Sequence, residues 1–384
     1  MSHHHRIGRR QFIVTSAGVV ATTISCGRKA SAEQVEAAAK QVGPIPRRKF
    51  ANSGREVSVL IGSATWSAAA VEAGLLCGIN YWHKADEWNK QTLPRSILQS
   101  RDAHYCEVCC DRVRGNHETG AIDEQAHVHF GYHNAAEVKN NRSFIRAYDR
   151  LKKKGLVRHL CLSQHSYQGN WKVRDGEPAY EILTAVLNDG VYEHAQFAFT
   201  FADNPGINEF VSQASRKGFG TTAMKTTGGA SRMKNDREFM KRFPEGTSPH
   251  QALARWLTTA TPLSAAVIQI KNLDQFVDTY SGAGKPQRAA DSRAIEQMSE
   301  YADREVCRLC NDCMPRCEKG LAIADILRYE RYARDYHERE LAQLLYAQLE
   351  VQAGSCSACG ACLPHCPQGL SIPERLAQAH KILS

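Results

Sequence analysis

The feature that most constrains this chain is a set of eight cysteines near its carboxyl end, which form two groups of identical spacing. Each group follows C-x2-C-x2-C-x3-C, and the second begins 49 residues after the first. Three thiolates at two-residue gaps can hold three iron corners of a [4Fe–4S] cluster from one tight loop. Zinc sites favour paired C-x2-C motifs and disulfides suit exported proteins, but evenly spaced triplets argue against both. The spacing therefore predicts two [4Fe–4S] clusters.

The two cysteine groups belong to an internal repeat. CEKGLAI at residues 317–323 returns as CPQGLSI at residues 366–372, and each is followed by a helical pattern. In two-cluster ferredoxins the fourth cysteine of each group ligates the other cluster. Glu318 stands where bacterial ferredoxins have the proline that Pro367 supplies in the second group. We therefore predict a small α-helical ferredoxin-like domain, with one cluster on Cys307, Cys310, Cys313 and Cys366 and the other on Cys356, Cys359, Cys362 and Cys317.

The amino-terminal segment has the pattern of an export signal. Arg9 and Arg10, followed by Phe12 and a mild apolar run to Ser25, resemble a twin-arginine leader, and the run is too short for a transmembrane helix. Cys26 resembles a lipoprotein cleavage site and predicts a possible lipid anchor, although Leu is expected where Thr23 stands. A folded-protein export route suits clusters that are assembled in the cytoplasm. We expect a periplasmic or cell-envelope location; an unremarkable basic tail is the alternative.

The middle of the chain alternates short apolar runs with helical patterns. Eight such runs in roughly 240 residues predict an α/β fold, a (β/α)8 TIM barrel with its active site at the carboxyl ends of the strands. The predicted helices include Ala68–Leu76, Ser143–Lys154, Tyr180–Asn188, Asn208–Lys217 and Pro249–Thr259. The predicted strands are Val57–Ile61, Ile79–Trp82, Tyr105–Cys110, Val128–Tyr132, Val157–Leu162, Ala195–Phe199, Gly220–Met224 and Ala265–Ile270.

Four segments of this region resemble the aldo/keto reductase family in order and spacing. They are EAGLLCGINYWHKADEW, KKKGLVRHLCLSQHS, GFGTTAMKTTGG and AAVIQIKNLDQFVDTY. The last two resemble the family's seventh strand and its eighth strand with the phosphate-binding turn. The tail resembles a subfamily that appends a ferredoxin-like domain to the barrel. The resemblance covers roughly 340 residues and implies a barrel of the aldo/keto reductase type.

The family's catalytic tetrad is not retained in this sequence. The resemblance places the tetrad's Asp on His83, its Tyr on Trp88, its Lys on Asp111 or Arg112, and its His on Phe130. Trp and Phe side chains cannot donate the proton that carbonyl reduction requires. The usual NADPH-dependent ketone reduction is therefore not expected.

The family's nicotinamide surface is retained only in part. Ser163, Gln164 and Gln196 stand where the family holds the carboxamide of the nicotinamide, and Lys271 is positioned to meet a phosphate. Gln269 replaces the glycine that opens the phosphate turn, where close backbone approach favours no side chain. NADP(H) binding is therefore predicted to be absent.

The residues predicted at the barrel mouth are polar and rich in histidine. They suit acid/base chemistry, or a metal as a lesser option, on a small polar or anionic ligand. The predicted catalytic residues are His83, Lys84, Asp111, Arg112, His165 and Lys225.

The formal charge of +9, from 49 basic and 40 acidic residues, by itself suggests a nucleic-acid partner. Removing the leader deletes three arginines, and each oxidised cluster with its thiolates carries about −2, so nucleic acid is not predicted.

The leading hypothesis is an exported iron–sulfur oxidoreductase that works with a redox partner protein. The alternative is a non-catalytic electron-transfer or scaffold subunit of a membrane-associated redox complex. The predicted order is a leader (1–26), a linker (27–46), the barrel (47–285), a helical connector (286–306) and the cluster domain (307–384).

Overall fold

The fold is taken from a computed structural model of the chain. The residues that the structure describes are 30–63, 66–85, 97, 104–108, 127–130, 132, 134–155, 159–164, 179–201, 205–227, 229–307 and 313–384. Among these residues, no helix is long and apolar enough to cross a membrane. The predicted leader and Cys26 lie outside the described residues.

Strands and helices alternate through the middle of the chain, and helices alone follow. The strands are β1 (Arg47–Phe50), β2 (Arg55–Ser58), β3 (Leu60–Ser63), β4 (Tyr81–Ala85), β5 (His104–Val108), β6 (His127–Phe130), β7 (Leu160–Gln164), β8 (His194–Ala198), β9 (Gly220–Met224) and β10 (Ala265–Val267). The helices are α1 (Ala32–Val42), α2 (Ala68–Leu76), α3 (Ala135–Asn140), α4 (Arg142–Lys153), α5 (Ala179–Asp189), α6 (Pro205–Arg216), α7 (Ala230–Asn235), α8 (Arg237–Arg242), α9 (Pro249–Arg255, continued by a π-helical turn at Trp256–Ala260), α10 (Leu273–Tyr280), α11 (Ala289–Glu305), α12 (Ile323–Arg334), α13 (Arg339–Ala347) and α14 (Ile372–Leu383).

The eight strands β3 to β10 form the barrel that the sequence predicts. Their order is β5-β4-β3-β10-β9-β8-β7-β6, and every hydrogen-bonded pair in this sheet is parallel. Cα atoms of the two end strands, β5 and β6, approach within 8 Å, so the sheet curls round on itself. This circular order is that of a (β/α)8 barrel, in which the carboxyl ends of all the strands meet at one mouth.

The opposite end of the barrel is closed by the β1–β2 hairpin. Phe50 packs its ring against Tyr81 and His194, with ring centroids 5.3 and 4.7 Å apart. Both of these partners begin barrel strands. The hairpin therefore leaves the carboxyl ends of the strands as the open face.

The prediction of one strand at Val57–Ile61 is wrong, because the chain changes partners at Val59. The Val59 N–H donates to the Pro46 carbonyl (2.9 Å), and the Ser58 N–H donates to Asn80 Oδ1 (2.8 Å). β2 therefore ends at Ser58 and pairs with the hairpin, whereas β3 begins at Leu60 in the barrel.

The segment predicted as a linker, residues 27–46, contains helix α1 in the part that the structure describes. Ser31 caps this helix, and Gln34 completes a capping box with it. Val35, Ala38 and Val42 are buried, and the helix lies against α2 and α10. The apolar residues of α1 recur at helical spacing and pack against the outer helices of the barrel. The segment is therefore part of the packed barrel domain.

The cluster domain has its own core and reaches the barrel through α11. This core includes Leu327, Leu370 and Leu376, together with Cys313 and Cys362. α11 packs with α7, α8 and α9 in a separate apolar cluster beside the barrel. The cysteine loops therefore begin directly after a helix that is fixed to the barrel.

Candidate functional site

The two cysteine loops fold alike, as the sequence repeat predicts. Cys313 and Cys362 each precede a single 3-10 turn, with φ, ψ angles of −78°, −21° and −80°, −21°. Cys317 and Cys366 end those turns in extended conformations. In each repeat a glycine with positive φ follows three residues later and a helix begins six residues later. One loop geometry is therefore used twice.

One thiol set comes from both repeats and lines a single cavity. Cys307 and Cys313 of the first repeat face this cavity together with Cys366 of the second. The other walls are largely apolar and include Leu327 and Leu370. The Leu370 N–H donates to Cys366 Sγ (3.4 Å), a bond that stabilises a thiolate. A cavity with thiol corners, apolar walls and an amide donor to sulfur fits an iron–sulfur cluster. No three described residues form a group that would hold a single metal ion, but a cluster spreads its ligands over separate iron corners.

The second thiol set shows the same exchange between repeats. Burial raises the pKa of Cys362, and Cys356, Cys317 and Cys359 raise it further, which places these three within electrostatic range. Cys317 is the member that comes from the other repeat. Cys359 is exposed, whereas Cys313 and Cys362 are buried. The second set therefore reaches the surface at Cys359. Cys310 lies outside the described residues.

At the barrel mouth, His83 and Gln196 meet across the barrel. Gln196 Nε2 lies 2.9 Å from His83 Nε2 and 3.9 Å from the sulfur of Met224. Burial, and then the charge of Lys225, lower the pKa of His83 to about 4. His83 is therefore neutral at pH 7, and its Nε2 accepts the hydrogen bond from Gln196.

Two buried polar atoms at this end lack a partner within the described residues. They are Ser163 Oγ and Gln196 Oε1, and a buried polar atom of this kind is normally satisfied by water or a ligand. Gln164 differs, because its amide bonds the main chain of Tyr132 at both ends, at 3.0 and 3.2 Å. Ser163 and Gln196 are therefore placed to meet a ligand, whereas Gln164 holds the loop after β6.

Lys225 follows β9 directly and is held in a left-handed backbone conformation, with φ of 62°. For a residue with a Cβ this conformation costs free energy, and it clusters at functional positions. The Lys225 ammonium lies 5.9 Å from the centroid of the Tyr336 ring, within cation–π range. Tyr336 lies between α12 and α13 of the cluster domain. A residue of the cluster domain therefore lies at the barrel mouth.

Buried ion pairs fix this contact between the two parts of the chain. Arg232, in the helix that follows the Lys225 loop, donates to Asp335 (2.9 Å) and Glu330 (3.2 Å). Arg375 also donates to Glu330 (2.8 Å) and reaches Glu305 (3.2 Å). The side chains of Arg232, Glu330, Asp335 and Arg375 are each at most 7% exposed. The cluster domain is thus held on the barrel by charges that solvent scarcely reaches.

Lys271, predicted to meet a cofactor phosphate, has another partner. Its ammonium lies 2.8 Å from a carboxylate oxygen of Glu338, which belongs to the same loop as Tyr336. Both side chains are about half exposed. The Glu338 carboxylate therefore pairs with the Lys271 ammonium that a cofactor phosphate would need. It also places a negative charge beside that ammonium.

The described structure brings together only some of the predicted barrel residues. His83, Gln196 and Lys225 converge at the mouth, and Lys84 lies in β4 with its side chain outside the described part. Asp111, Arg112 and His165 lie outside the described residues. Sequence reasoning missed Tyr336, Arg331 and Arg232. The partners of Arg232 and the Lys225 partner of Tyr336 are more than 70 residues away, whereas Arg331 and Tyr336 are only five residues apart. For Arg331 and Tyr336, the run of arginine and tyrosine in RYERYARDY was the available signal.

Known proteins are similar to this chain in two parts, the tail and the barrel. A family model described as a 4Fe–4S dicluster domain matches residues 306–371, which contain all eight cysteines. No curated protein matches the chain. The aldo-keto reductase AKR11C1 of Bacillus halodurans, in its apo form, is 15% identical with a TM-score of 0.47, covering 66% of this chain and 96% of that one.

Two further solved structures are similar to the same extent. A mutant of Gox0644 in complex with NADPH is 15% identical with a TM-score of 0.48, covering 67% of this chain and 94% of that one. MGS-M4, an aldo-keto reductase from a Medee basin deep-sea metagenome library, is 14% identical with a TM-score of 0.43, covering 65% and 94%. The barrel itself is established by its own strand order. The chain thus joins a tail that matches a 4Fe–4S dicluster domain to a barrel of eight parallel strands.

Proposed function

We propose that this protein is an iron–sulfur oxidoreductase whose substrate binds at the barrel mouth, beside the cluster domain. The observation that carries this proposal is the contact between Lys225 at the end of β9 and Tyr336 of the cluster domain. Electron transfer needs short paths between the donor and the reacting molecule. A cluster domain docked at the mouth, rather than on the floor or flank of the barrel, supports a redox role for that mouth.

The two thiol sets take different places in this proposal. Arg331 lies close enough to Cys307 for the Cys307 thiol to raise the pKa of the Arg331 guanidinium. Arg331 also donates a hydrogen bond to the Tyr336 hydroxyl (3.4 Å). The set with Cys307 therefore faces the barrel, and the set with exposed Cys359 faces an external partner. When bound, two [4Fe–4S] clusters supply or accept electrons one at a time. We propose a redox partner protein that meets the chain near Cys359.

The mouth suits a small polar or anionic substrate. Lys225 supplies a positive charge, neutral His83 supplies an imidazole, and Ser163 and Gln196 supply buried polar atoms without described partners. These groups hold and orient a polar molecule and exclude water from its reacting atoms. We propose that Lys84, Asp111, Arg112 and His165 complete the mouth.

Hydride from NADPH has no part in this proposal. Gln164 is committed to Tyr132, and Lys271 is paired with Glu338. The side chains at the tetrad positions lack the family's proton donor, as the sequence resemblance implies. Electrons delivered by the cluster domain replace the hydride.

We also propose that the protein reaches the cell envelope by the twin-arginine route, with Cys26 as a lipid anchor. A fusion of residues 1–30 to a reporter that is active only when exported tests this. Export that depends on Arg9 and Arg10, lost in a paired Lys variant, supports it; equal export of both fusions contradicts it.

The central test is reoxidation of the reduced protein by substrates. The holoprotein is reduced anaerobically with a small excess of dithionite and mixed with a panel of small oxo acids, aldehydes and imines, while the cluster EPR signal is followed. At least one compound should speed reoxidation in the native protein and not in the Lys225→Ala variant. Lys241→Ala, an exposed lysine on α8, serves as the matched control.

The outcomes separate the two functional hypotheses. Reoxidation that no compound accelerates contradicts catalysis at the barrel mouth. A stable co-purifying partner, with electron transfer to it unchanged in His83→Ala and Lys225→Ala, instead supports the scaffold subunit.

A further inference from the structure

The loop that joins α12 to α13, residues 335–338, holds its shape through contacts on both sides. Asp335 accepts from buried Arg232 (2.9 Å), and Glu338 pairs with Lys271 (2.8 Å). The Glu338 N–H donates to the Tyr332 carbonyl (2.8 Å). Tyr336 and His337 lie between these two carboxylates, so anchors on either side fix the position of Tyr336 against the barrel.

The Tyr336 side chain lies between two cations that come from different parts of the chain. Arg331 Nη2 donates to its hydroxyl (3.4 Å), and Lys225 lies 5.9 Å from the ring centroid. The ring also packs against Tyr332, with centroids 5.9 Å apart. Arg331 belongs to the cluster domain and Lys225 to the barrel, so this arrangement exists only while the two are docked.

The charges around Tyr336 favour loss of its proton. Burial by itself would raise the pKa of Tyr336, but the positive charges of Arg331 and Lys225 outweigh burial and the opposing charge of Asp335. The pKa therefore lies below its ordinary value. A phenol of lowered pKa is a better acid at neutral pH and still regains its proton from water.

His83, whose pKa the charge of Lys225 also lowers, is not suited to be that acid. Burial and Lys225 hold its pKa near 4, so at pH 7 it has no proton to give as an imidazolium. It remains suited to accept or share a hydrogen bond. The acid at this mouth must therefore be a different group, and Tyr336 is the described side chain whose environment fits.

We propose that Tyr336 is a catalytic residue which the cluster domain contributes to the barrel, donating its proton to a carbonyl or imine substrate bound against Lys225 and His83. This inference rests on the proposed function and names its acid and its substrate class. The substrate's double bond gains two electrons and two protons. The two electrons come one each from two molecules of a reduced one-electron carrier protein, and both carrier molecules are oxidised. Tyr336 gives one proton to the oxygen or nitrogen, breaking its own O–H bond, and water supplies the proton to carbon and later reprotonates the phenolate.

The first test follows the phenol itself and needs no substrate. Ultraviolet difference titration of the anaerobic holoprotein should show one tyrosine that ionises before the others. That step should vanish in Tyr336→Phe, persist in Tyr332→Phe, and move to higher pH in Lys225→Met. An early step that survives in Tyr336→Phe, or is absent from the native protein, overturns the proposal.

The second test measures proton transfer during reoxidation by a small oxo acid or imine. In Tyr336→Phe the rate should fall by about 100-fold or more, with reduction by dithionite and the EPR signals unchanged. Tyr332→Phe should retain the native rate. An equal rate in Tyr336→Phe overturns the role of Tyr336 and leaves the proposed function standing. A native protein that no such compound reoxidises removes the proposed function, while the titration still reports on the phenol.

Discussion

At the scale of single residues, the mouth is governed by one lysine. Lys225 is held at a positive φ that costs most side chains about 1 to 2 kcal/mol, and from there it acts on two groups. It disfavours the protonated form of His83 and favours the deprotonated form of Tyr336. A single cation therefore lowers the proton affinity of both, which keeps the imidazole neutral and the phenol acidic at the same pH.

The lowered pKa of His83 predicts a pH dependence of stability. Because its pKa is lower in the folded than in the unfolded protein, the stabilisation is present above pH 6.5 and is lost as the pH falls towards 4. Between pH 7 and pH 5, native protein should lose about 2 kcal/mol of unfolding free energy more than His83→Gln. Anaerobic urea unfolding at the two pH values measures this.

A second variant isolates the cause of that loss. In Lys225→Met the difference between pH 7 and pH 5 should shrink, because the repelling charge is gone and burial alone remains. Equal losses in native protein and His83→Gln would show that His83 does not carry the effect.

At the scale of elements, the repeat explains how two loops build two similar sites. Gly320 and Gly369 adopt φ of 67° and 64°, and each lies three residues after a fourth cysteine. The turn brings the chain back so that Ile323 and Ile372 can begin helices. Among the described residues, Cys366 of the second loop thus faces one cavity with Cys307 and Cys313, and Cys317 of the first loop lies within electrostatic range of Cys362.

Cross-ligation between the repeats predicts selective damage. In Cys366→Ser, Cys307 and Cys313 should lose their cluster, because they share a cavity with Cys366, and become open to alkylation. Cys356, Cys359 and Cys362 should stay protected, and iron should fall from about eight to about four per chain. Mass spectrometry after anaerobic alkylation measures both sets.

Cys317→Ser is the matched control for this experiment. It should expose Cys356, Cys359 and Cys362 and spare the other set. If each variant instead exposes the cysteines of its own repeat, the assignment across repeats is wrong.

Local patterns predicted much of the element order. Helix Ala68–Leu76 and strand Gly220–Met224 lie where the sequence indicates, since apolar periodicity is a local property. The division at Val59 was not predictable, because it depends on hydrogen bonds to Pro46 and Asn80 that only the folded chain brings near. α1 could have been found: Ser31 with Gln34 and the apolar spacing at Val35, Ala38 and Val42 were present in the sequence.

The candidate site divides in the same way between local and long-range signals. The cysteine spacing alone predicted the cluster domain, and the family resemblance pointed to His83 and Lys225. Tyr336 was not predictable, because its character comes from Lys225 in the barrel and from Arg331, which the fold turns towards its hydroxyl. RYERYARDY places Arg331 five residues before Tyr336, but nothing near either residue in the sequence marks the contact with Lys225.

At the scale of the whole molecule, the ion pairs between the barrel and the cluster domain do more than hold the two together. Arginine side chains outnumber carboxylates in this network. The arginines are Arg232, Arg331, Arg334 and Arg375, and the carboxylates are those of Glu305, Glu330 and Asp335. Arg331, one of these arginines, lies close enough to Cys307 for the two groups to interact electrostatically. An oxidised cluster with its thiolates carries about −2, so the network balances a charge that the amino acids alone do not show.

Removing one arginine from this network should separate stability from cluster binding. Arg232→Met leaves Asp335 and Glu330 buried with fewer partners, and breaking a buried pair in this way costs about 3 to 5 kcal/mol. Urea unfolding should then show the cluster domain leaving the barrel first, with Tyr336 no longer near Lys225. The early tyrosine step in the ultraviolet titration should move to higher pH, while the iron content stays native.

Lys241→Met removes an exposed pair with Glu238 and should change stability by about 0 to 1 kcal/mol. Native unfolding and a native titration in Arg232→Met would show that the docked arrangement does not depend on this pair.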